Sequence, residues 1–377
     1  MGLPDKALII GGGIGGMCAA IELRKLGIAV DLVELNPAWS VYGAGITVSG
    51  PTLRALRSVG VVDEVLAHAG TWDRIHVCAA DGRTLAEVPI PPTVGADELP
   101  RSSGILRPVL AEILARATLA SGTQVHTGLT FETITQDADS VDVRFTDGRQ
   151  GRYGLVIGAD GVHSQVRQRL FPHAPVPRFT GQGSWRTVVP RTVVHSTIYM
   201  GATTKVGVNP VSDDECYLFC LDQRPGIEFI PQERWAETLP GLLAEFGGVV
   251  GDIRNGLRSG RLDGSRILYR PLAGLMMPAP WHLGRVLLLG DACHATTPHL
   301  ASGAGIAVED AVVLAEELQR HPTLDAALAA HTARRFERAR LVVESSLRLG
   351  ELEQTGGPKD EHERVMRHAL GALTAPI

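Results

Sequence analysis

Short apolar runs alternate with amphipathic stretches along the first part of the chain. Residues 7–10 are apolar, residues 14–27 carry small and apolar side chains at helical spacing, and residues 29–35 are again mostly apolar. This order predicts a buried strand, a helix and a second parallel strand within about 30 residues. Apolar runs also precede Gly158 and Gly290, so we expect further strands of the same sheet there.

The middle of the chain has a different pattern. Short segments of β-branched and aromatic residues, separated by turn residues, predict the strands of a second sheet: 185–189, 195–200, 205–211 and 216–221. Residues 75–87 predict a hairpin with Asp81-Gly82 as its turn. A helix is predicted over 235–246, with a break at Pro240.

Amphipathic patterns dominate the C-terminal part. Residues 324–353 predict one or two helices rich in Ala, Leu, Arg and Glu, and residues 360–373 predict one more.

The turn after the first predicted strand is rich in glycine, with the sequence Gly11-Gly12-Gly13-Ile14-Gly15-Gly16. Gly11 permits a tight turn, Gly13 lets the backbone approach a pyrophosphate, and Gly16 lets helix and strand pack closely. Phosphates would then lie at a helix N-terminus, where free N–H groups favour anions. The pattern predicts a dinucleotide site, and the alternative is a glycine-rich turn without a ligand.

Glu34 lies at the end of the second predicted strand, 18 residues after Gly16, and is followed by Leu35. A carboxylate there can accept hydrogen bonds from the two ribose hydroxyls of an adenosine. It would repel a 2′-phosphate, so the site is predicted to hold FAD or NAD rather than NADP.

Two further glycine segments follow predicted strands, Gly158-Ala159-Asp160-Gly161 and Gly290-Asp291-Ala292-Cys293-His294. Together with the first turn, and in this order, they resemble the FAD-dependent aromatic hydroxylases, the class A flavoprotein monooxygenases of the para-hydroxybenzoate hydroxylase fold. The resemblance spans roughly residues 5–345 and includes members acting on salicylate, 6-hydroxynicotinate and urate. It implies FAD as the cofactor, with NADH or NADPH as a transient co-substrate.

The resemblance also implies positions around the flavin. Asp291 would bind the ribityl chain, Pro298 would lie beside the ring, and Arg107 would approach the phosphate and ribityl region. Asp160 and Arg167 match the second segment, although Asp160 could instead cap the helix that follows. The residues predicted to bind FAD are Gly11, Gly13, Ile14, Gly15, Gly16, Glu34, Leu35, Gly45, Arg107, Asp160, Asp291, Pro298, Gly303, Ala304 and Gly305.

The chain departs from the family pattern beside the flavin ring. It has Ala301-Ser302-Gly303 where Gly-Gln-Gly is usual, and Gly305 where Asn is common. FAD binding is still expected, but the hydrogen bonds at the ring edge are not predicted.

The implied fold class is α/β, a Rossmann-like FAD-binding domain with an inserted β-sheet substrate domain and C-terminal helices. The predicted FAD-binding domain is discontinuous, over 1–73, 101–175 and 267–350. The predicted substrate domain covers 74–100 and 176–266, and 351–377 is a helical tail.

The reaction that the resemblance implies is hydroxylation of a small aromatic or N-heteroaromatic substrate with NAD(P)H and O₂, through a C4a-hydroperoxyflavin. His299 and Tyr217 are the predicted catalytic residues, and Lys205, Tyr217, His299 and Met200 are predicted to bind substrate. His299 would act as a base or orient the substrate. Each of these residues could instead be a structural or solvated side chain.

Other functions remain open from sequence. The same fold supports N-hydroxylation or epoxidation, or a non-catalytic FAD-binding module. A halogenase is disfavoured because Trp185-Arg186-Thr187-Val188-Val189-Pro190 lacks the second Trp of that class's signature. The ring attacked, the choice between NADH and NADPH, and the choice between monomer and homodimer are not predicted.

Charge and cysteine content narrow the partners. The net charge is −5 with no basic run, which argues against a nucleic-acid partner. No signal peptide or membrane span is predicted, so we expect a cytoplasmic protein. The five cysteines are too scattered for a disulfide framework, and Asp291, Cys293 and His294 do not have zinc-site spacing, so no metal is predicted.

Overall fold

The structure is a computed structural model, and it describes residues 3–41, 43–202, 204–227 and 230–377. The strands of the described residues are β1 (Lys6–Ile10), β2 (Ala29–Glu34), β3 (Gly45–Ser49), β4 (Gly70–Trp72), β5 (Arg74–Ala79), β6 (Thr84–Pro89), β7 (Ser102–Leu106), β8 (Gln124–Thr127), β9 (Phe131–Gln136), β10 (Val141–Phe145), β11 (Gln150–Tyr153), β12 (Leu155–Gly158), β13 (Arg178–Pro190), β14 (Ser196–Met200), β15 (Lys205–Pro210), β16 (Glu215–Gln223), β17 (Leu268–Gly274), β18 (His282–Leu283) and β19 (Val286–Leu288).

The helices connect and cover these strands. Within the same residues they are α1 (Ile14–Lys25), α2 (Gly50–Val59), α3 (Val62–Ala67), α4 (Arg107–Ala120), α5 (Gln165–Leu170), α6 (Trp235–Leu242), α7 (Gly248–Arg258), α8 (Asp291–His294), α9 (Gly303–Arg320), α10 (Leu324–Thr355) and α11 (Lys359–Leu373).

The first sheet has six strands in the order β18-β19-β12-β1-β2-β8, and all of its pairs are parallel except β18 with β19. Ile10 pairs with Gly158 on one side and with Val33 on the other, so the carboxyl ends of three strands meet at one edge. Buried apolar residues fill these strands because helices cover the sheet. Ligands in open α/β sheets bind at such an edge.

The second sheet has seven strands in the order β17-β13-β16-β15-β14-β5-β6. Its two faces have different neighbours because side chains alternate along each strand. Trp185 and Tyr269 lie on the face that forms a core with α6 and α7, and the opposite face approaches β3 of a small sheet ordered β3-β7-β4. A further small sheet, β11-β10-β9, lies at the start of β12.

Most of the predicted elements are present, with shifted ends. The predicted break at Pro240 is wrong: α6 runs through Pro240 to Leu242, and Trp235 and Leu239 of this helix are buried in the core of the second sheet. This burial outweighs the local cost of a proline within the helix. Residues 324–355 form the single helix α10, which crosses the predicted end of the FAD-binding domain at residue 350.

The predicted α/β fold class is confirmed, and the exact division of the chain into domains stays a prediction. Among the described residues, no helix combines the length and apolar character needed to cross a membrane.

Candidate active site

The three glycine segments meet at the carboxyl edge of the parallel sheet. Gly11 has a φ of +109°, and a β-carbon there would lie 2.4 Å from the carbonyl oxygen of Ala159 in the second segment. A β-carbon at Gly16 would lie 2.0 Å from the carbonyl oxygen of Gly11, and one at Gly15 would lie 2.8 Å from Leu289 beside the third segment. These glycines are therefore required for packing within the protein itself.

Gly13 differs from its neighbours. It is the residue before α1, which begins at Ile14, and a β-carbon at Gly13 would have no protein atom within 4 Å. The N-terminus of a 12-residue helix therefore faces open space at this point. Free N–H groups and the helix dipole at such an end favour a phosphate.

Glu34 closes the other side of the glycine turn. Its carboxylate accepts hydrogen bonds from the backbone N–H of Gly12 at 2.8 Å and from that of Asn36 at 2.7 Å. The Trp39 indole donates to the carbonyl oxygen of Gly12 at 2.9 Å. Carboxylate oxygens have further lone pairs, so Glu34 can still accept from ribose hydroxyls. Leu35 is 67% exposed beside this site.

Asp160 does cap the helix that follows the second segment. One carboxylate oxygen accepts from the backbone N–H groups of Gln165 at 2.7 Å and Val166 at 3.1 Å, whereas the other oxygen is buried without a hydrogen-bond partner. Arg167 is buried, and its guanidinium donates to the carbonyl oxygens of Ala292 and Val162. Arg167 thus joins the second segment to the third.

Asp291 follows β19 and a turn in which Gly290 has a φ of +64°. Its side chain is accessible to solvent, yet protein atoms crowd around it. This burial raises the pKa of the carboxyl group, and the charges of His294 and Arg107 act against the increase. An accessible but crowded carboxylate indicates a recess within the protein rather than an open surface.

A buried ionic network lies beneath this turn. The Asp310 carboxylate accepts from the backbone N–H of Gly290 at 3.1 Å and pairs with His294 at 2.6 Å and Arg335 at 2.8 Å. Burial alone would raise the pKa of Asp310, but His294 and Arg335 outweigh it and lower this pKa. The pKa of His294 lies well above its usual value, because burial is outweighed by Asp310.

The same network accounts for a group that resembles a metal site. Ligand atoms of Cys293, His294 and Asp310 lie within 4.8 Å of one another and are buried. The Asp310 carboxylate is already engaged by an imidazole, a guanidinium and a backbone N–H. The Asp310 carboxylate is therefore satisfied by protein partners, and it holds the backbone of Gly290 in the turn before Asp291.

Arg107 connects the second sheet with the carboxyl edge of the parallel sheet, where the three glycine segments meet. We call this edge the cofactor edge. It begins α4, its backbone N–H donates to the carbonyl oxygen of Ala44 at 2.8 Å, and its Nε atom is buried without a partner. A β-carbon at Gly43 would lie 2.9 Å from the Arg107 side chain. The charge of Arg107 acts on both Asp291 and Arg186. A guanidinium with an unpartnered buried Nε atom fits an anion such as a phosphate.

The segment after Pro298 leads into α9. Pro298 begins a single 3₁₀ turn, and Gly303, Ala304 and Gly305 form the first turn of the helix. A β-carbon at Gly305 would lie 2.1 Å from the Thr52 hydroxyl oxygen, so a larger residue there would require the Thr52 side chain to move.

Ala301 lies in this segment and has a φ of +50°. The left-handed region costs a non-glycine residue roughly 1–2 kcal/mol, which explains why glycine is usual at this position of the resembling family.

Tyr217 lies where the second sheet meets the cofactor edge. Its buried hydroxyl accepts from the Asn209 amide at 3.0 Å and shares a hydrogen bond of 2.9 Å with Thr47. A β-carbon at Gly45 would lie 2.2 Å from the Tyr217 ring, so the backbone at Gly45 packs directly against this ring. The Phe219 ring lies 6.0 Å away on the same face.

His299 faces helix α10. Its Nδ1 atom lies 2.8 Å from the Thr297 hydroxyl, and its Nε2 atom lies 3.4 Å from the Glu353 carboxylate. Burial lowers the pKa of His299, although Glu353 acts in the opposite direction. The ring also borders a cavity of about 600 Å³ between β13, β17 and α10.

Lys205 was predicted to bind substrate, and in the structure its charge is paired within the protein. Its ammonium group pairs with the Glu353 carboxylate, which also lies 3.1 Å from His362. Although burial raises the pKa of Glu353, Lys205 and both histidines outweigh it and hold this pKa below its usual value. Met200 is opposite Lys205 in the sheet register and is 45% exposed, so it lies at the margin of the sheet face.

Several residues of the site were missed from sequence. Thr47 and Asn209 hold Tyr217, Glu353 holds Lys205, and Arg186 lies on the same sheet face as Tyr217. A charged residue within the strand 185–189 was a usable signal for Arg186, whereas Glu353 lies on an amphipathic helix that carries many other acidic residues.

Comparison with known proteins decides the family. The FAD binding domain family matches residues 5–248 and 273–346, which is most of the chain. The chain belongs to this family. The predicted FAD cofactor and the predicted class of enzyme, an FAD-dependent monooxygenase, are confirmed by this match together with the relatives below.

Two relatives and one solved structure illustrate the similarity. The aurachin C monooxygenase/isomerase of Stigmatella aurantiaca is 33% identical over 92% of this chain and 89% of its own length. The 6-hydroxynicotinate 3-monooxygenase of Bordetella bronchiseptica is 29% identical over 89% of this chain and 88% of its own. The structure of HpxO from Klebsiella pneumoniae with FAD and uric acid superposes with a TM-score of 0.86, at 26% identity, covering 98% of this chain and 97% of that one.

Proposed function

We propose that this enzyme uses NAD(P)H and O₂ to hydroxylate a small aromatic or N-heteroaromatic substrate bound between Tyr217 and the cofactor edge. The observation that carries the proposal is the direct packing of the Tyr217 ring against Gly45. This contact puts an aromatic sheet face next to the residues that would hold FAD. The relatives that act on 6-hydroxynicotinate and bind uric acid support a planar substrate of this size.

The residues at the cofactor edge fit FAD. Gly13 leaves room for the pyrophosphate at the N-terminus of α1, Arg107 has an unpartnered Nε atom, and Asp291 has an accessible carboxylate in a recess. Glu34 would accept from the adenosine ribose. Bound FAD supplies the electron transfer from NAD(P)H and the activation of O₂.

The first turn of α9 gives this site a fixed polarity. Gly303, Ala304 and Gly305 present backbone N–H groups at the N-terminus of an 18-residue helix. The positive end of the helix dipole stabilises negative charge nearby. These N–H groups would therefore favour the anionic form of a reduced cofactor placed against them.

Tyr217 and His299 would have different tasks. The Tyr217 hydroxyl is held by Asn209 and Thr47, which fixes the ring as one wall of the substrate site. Both nitrogens of the His299 ring face protein groups, Thr297 and Glu353, and its lowered pKa keeps the ring neutral near pH 7. We therefore assign His299 to positioning of the Pro298 segment rather than to removal of a substrate proton.

Substrate-dependent oxygenation tests the proposal. The FAD-loaded protein would be mixed with NADH or NADPH and a panel of hydroxylated benzoates, pyridine carboxylates and quinolones under ¹⁸O₂. We expect accelerated oxidation of the nicotinamide and a product that gains one ¹⁸O atom on a ring carbon. An ¹⁸O atom found on nitrogen or in an epoxide would show that the enzyme catalyses N-hydroxylation or epoxidation instead of ring hydroxylation. A flavoprotein whose NAD(P)H oxidation no panel member accelerates would contradict the proposal.

The cytoplasmic location and the choice between monomer and homodimer stay predictions from sequence. The same panel, run with each nicotinamide at equal concentration, decides between NADH and NADPH.

A further inference from the structure

Arg186 occupies a distinctive place on the second sheet. It lies on β13, opposite Phe219 of β16 and Leu268 of β17, and its neighbour Trp185 points to the other face, where the core is. Because side chains alternate along a strand, Arg186 shares its face with Tyr217 and Phe219. This is the face that approaches the cofactor edge through Gly45.

The charge of Arg186 is not balanced by the protein. None of the residues described forms a hydrogen bond or an ion pair with its guanidinium group. Burial lowers the pKa of Arg186, Tyr217 acts in the opposite direction, and the nearby positive charge of Arg107 lowers it further. A crowded cation without a counter-charge is expensive, so it is expected where a ligand supplies the missing negative charge.

A second cation on this face, Lys205, is already neutralised. Lys205 pairs with Glu353, and that carboxylate also interacts with His299 and His362. Arg186 lies nearer to Tyr217 than the exposed Arg270 does in the sheet register, and it remains able to bind an anion. The planar guanidinium can form two parallel hydrogen bonds with a carboxylate, and it can also bind a single anionic oxygen.

We propose that Arg186 binds an anionic oxygen of the substrate, either a ring carboxylate or a deprotonated ring oxygen, while the aromatic ring lies along Tyr217 and Phe219. This inference rests on the function proposed above. It replaces Lys205 as the residue that holds the substrate's negative charge. It makes the preferred substrate an aromatic anion rather than a neutral arene.

Matched pairs of probes test the inference without turnover. Binding would be followed by the change in flavin absorbance when oxidised holoenzyme is titrated with 6-hydroxynicotinate or 6-hydroxynicotinamide, and with 4-hydroxyquinoline or 4-methoxyquinoline. The first pair changes a carboxylate, and the second removes an ionisable ring oxygen. The proteins compared would be the wild type, Arg186→Gln, Arg186→Lys and Arg270→Gln, the last an exposed arginine on neighbouring β17.

We expect Arg186→Gln to weaken binding of one probe, either the one with the carboxylate or the one with the ionisable ring oxygen. The expected loss is about 10- to 100-fold, the range for a charge-assisted hydrogen bond. The neutral member should change by less than about threefold, Arg186→Lys should give an intermediate loss, and Arg270→Gln should match the wild type. A loss confined to the first pair would identify a carboxylate as the anionic group, and a loss confined to the second would identify a ring oxygen.

Two results would overturn the inference while leaving the proposed function intact. One is that Arg186→Gln binds every probe as tightly as the wild type does. The other is a loss of FAD affinity or a shift of the flavin reduction potential in Arg186→Gln with unchanged probe binding, which would assign Arg186 to the cofactor. If no aromatic probe perturbs the flavin of the wild type, the proposed function fails and the inference fails with it.

Discussion

The Nε2 atom of His331 lies 3.2 Å from the backbone carbonyl oxygen of Asp310, and both residues are fully buried. A carbonyl oxygen only accepts, so Nε2 carries the proton of the neutral ring. The Nδ1 atom is buried without a partner, and a second proton there would have no acceptor. Burial accordingly lowers the pKa of His331 to about 4, with Arg335 acting in the same direction and Asp310 against it.

This relationship predicts a pH dependence of stability. A histidine whose folded pKa lies below its unfolded value of 6.5 stays neutral in the fold while the unfolded chain binds a proton. Its contribution to the free energy of unfolding is therefore present above pH 6.5 and is lost as the pH falls toward 4. His282 and His299 have lowered pKa values and act in the same window.

The substitution His331→Gln tests this contribution, because an amide N–H can still donate to the Asp310 carbonyl. We expect the slope of the free energy of unfolding between pH 4.5 and 6.5 to fall by up to about 1.4 kcal/mol per pH unit. Urea unfolding at half-unit pH steps measures this slope. An unchanged slope would mean that His331 is protonated in the fold; His68→Gln on exposed surface is the control.

The glycine turn predicts opposite outcomes for two neighbouring substitutions. Gly13→Ala meets no protein atom and should change the stability of the FAD-free protein by less than about 0.5 kcal/mol, while it weakens FAD binding at least tenfold by occupying the approach of the pyrophosphate. Gly16→Ala places a carbon 2.0 Å from the Gly11 carbonyl oxygen and should destabilise the FAD-free protein by about 1–3 kcal/mol or more.

Both variants would be measured by urea unfolding without FAD and by titration with FAD. Normal FAD affinity in Gly13→Ala would show that the pyrophosphate does not bind at the N-terminus of α1. Normal stability of Gly16→Ala would contradict the close packing of the turn.

Tyr217 and Thr47 allow structural and functional roles to be separated. Tyr217→Phe and Thr47→Val each remove one side of the same 2.9 Å hydrogen bond, so each should lower stability by about 0.5–2 kcal/mol. If the Tyr217 hydroxyl also contacts the substrate, Tyr217→Phe should lower kcat/KM at least tenfold more than Thr47→Val does. Equal losses in the two variants would restrict Tyr217 to holding the sheet against β3.

The Lys205–Glu353 pair predicts a coupling between the second sheet and α10. Each side chain is about 15% exposed, so removing one partner leaves the other partly buried and unpaired. A double-mutant cycle with Lys205→Met and Glu353→Gln should give a coupling energy of about 1–3 kcal/mol in urea unfolding. The exposed pair Arg340–Glu337 on α10 should couple by less than about 1 kcal/mol. A coupling energy below about 1 kcal/mol between Lys205 and Glu353 would support a role of Lys205 in substrate binding.

Local patterns in the sequence were sufficient to predict the turns at the cofactor edge. The spacing of Gly11, Gly13 and Gly16 after an apolar run encodes a turn whose geometry depends on adjacent residues, and Asp291 follows its own strand in the same way. The strand predicted over 216–221 is present as Glu215–Gln223, and its alternation places Tyr217 and Phe219 on one face. Each of these features is local, so a single chain segment carries the information.

The partners of the substrate-side residues were not predictable in this way. Lys205 and Glu353 are 148 residues apart, and nothing in either segment indicates that they form an ion pair. The contacts of His299 with Thr297 and Glu353 were likewise not predicted, and its catalytic role stays a prediction. The dual position of Asp160, with one oxygen capping α5, likewise depends on the three-dimensional path of the turn. Long-range packing decides these contacts.

Side chains alternate along β13 between the two faces of the sheet, so neighbouring positions of this strand are under different constraints. Trp185 and Thr187 are fully buried on the face toward the helices, whereas Arg186 and Val188 face the cofactor edge. Substitutions at odd-numbered positions are constrained by folding, and under the proposed function those at even-numbered positions are constrained by the substrate. Descendants of this chain can therefore acquire new substrates by changing every second residue while the scaffold is inherited unaltered.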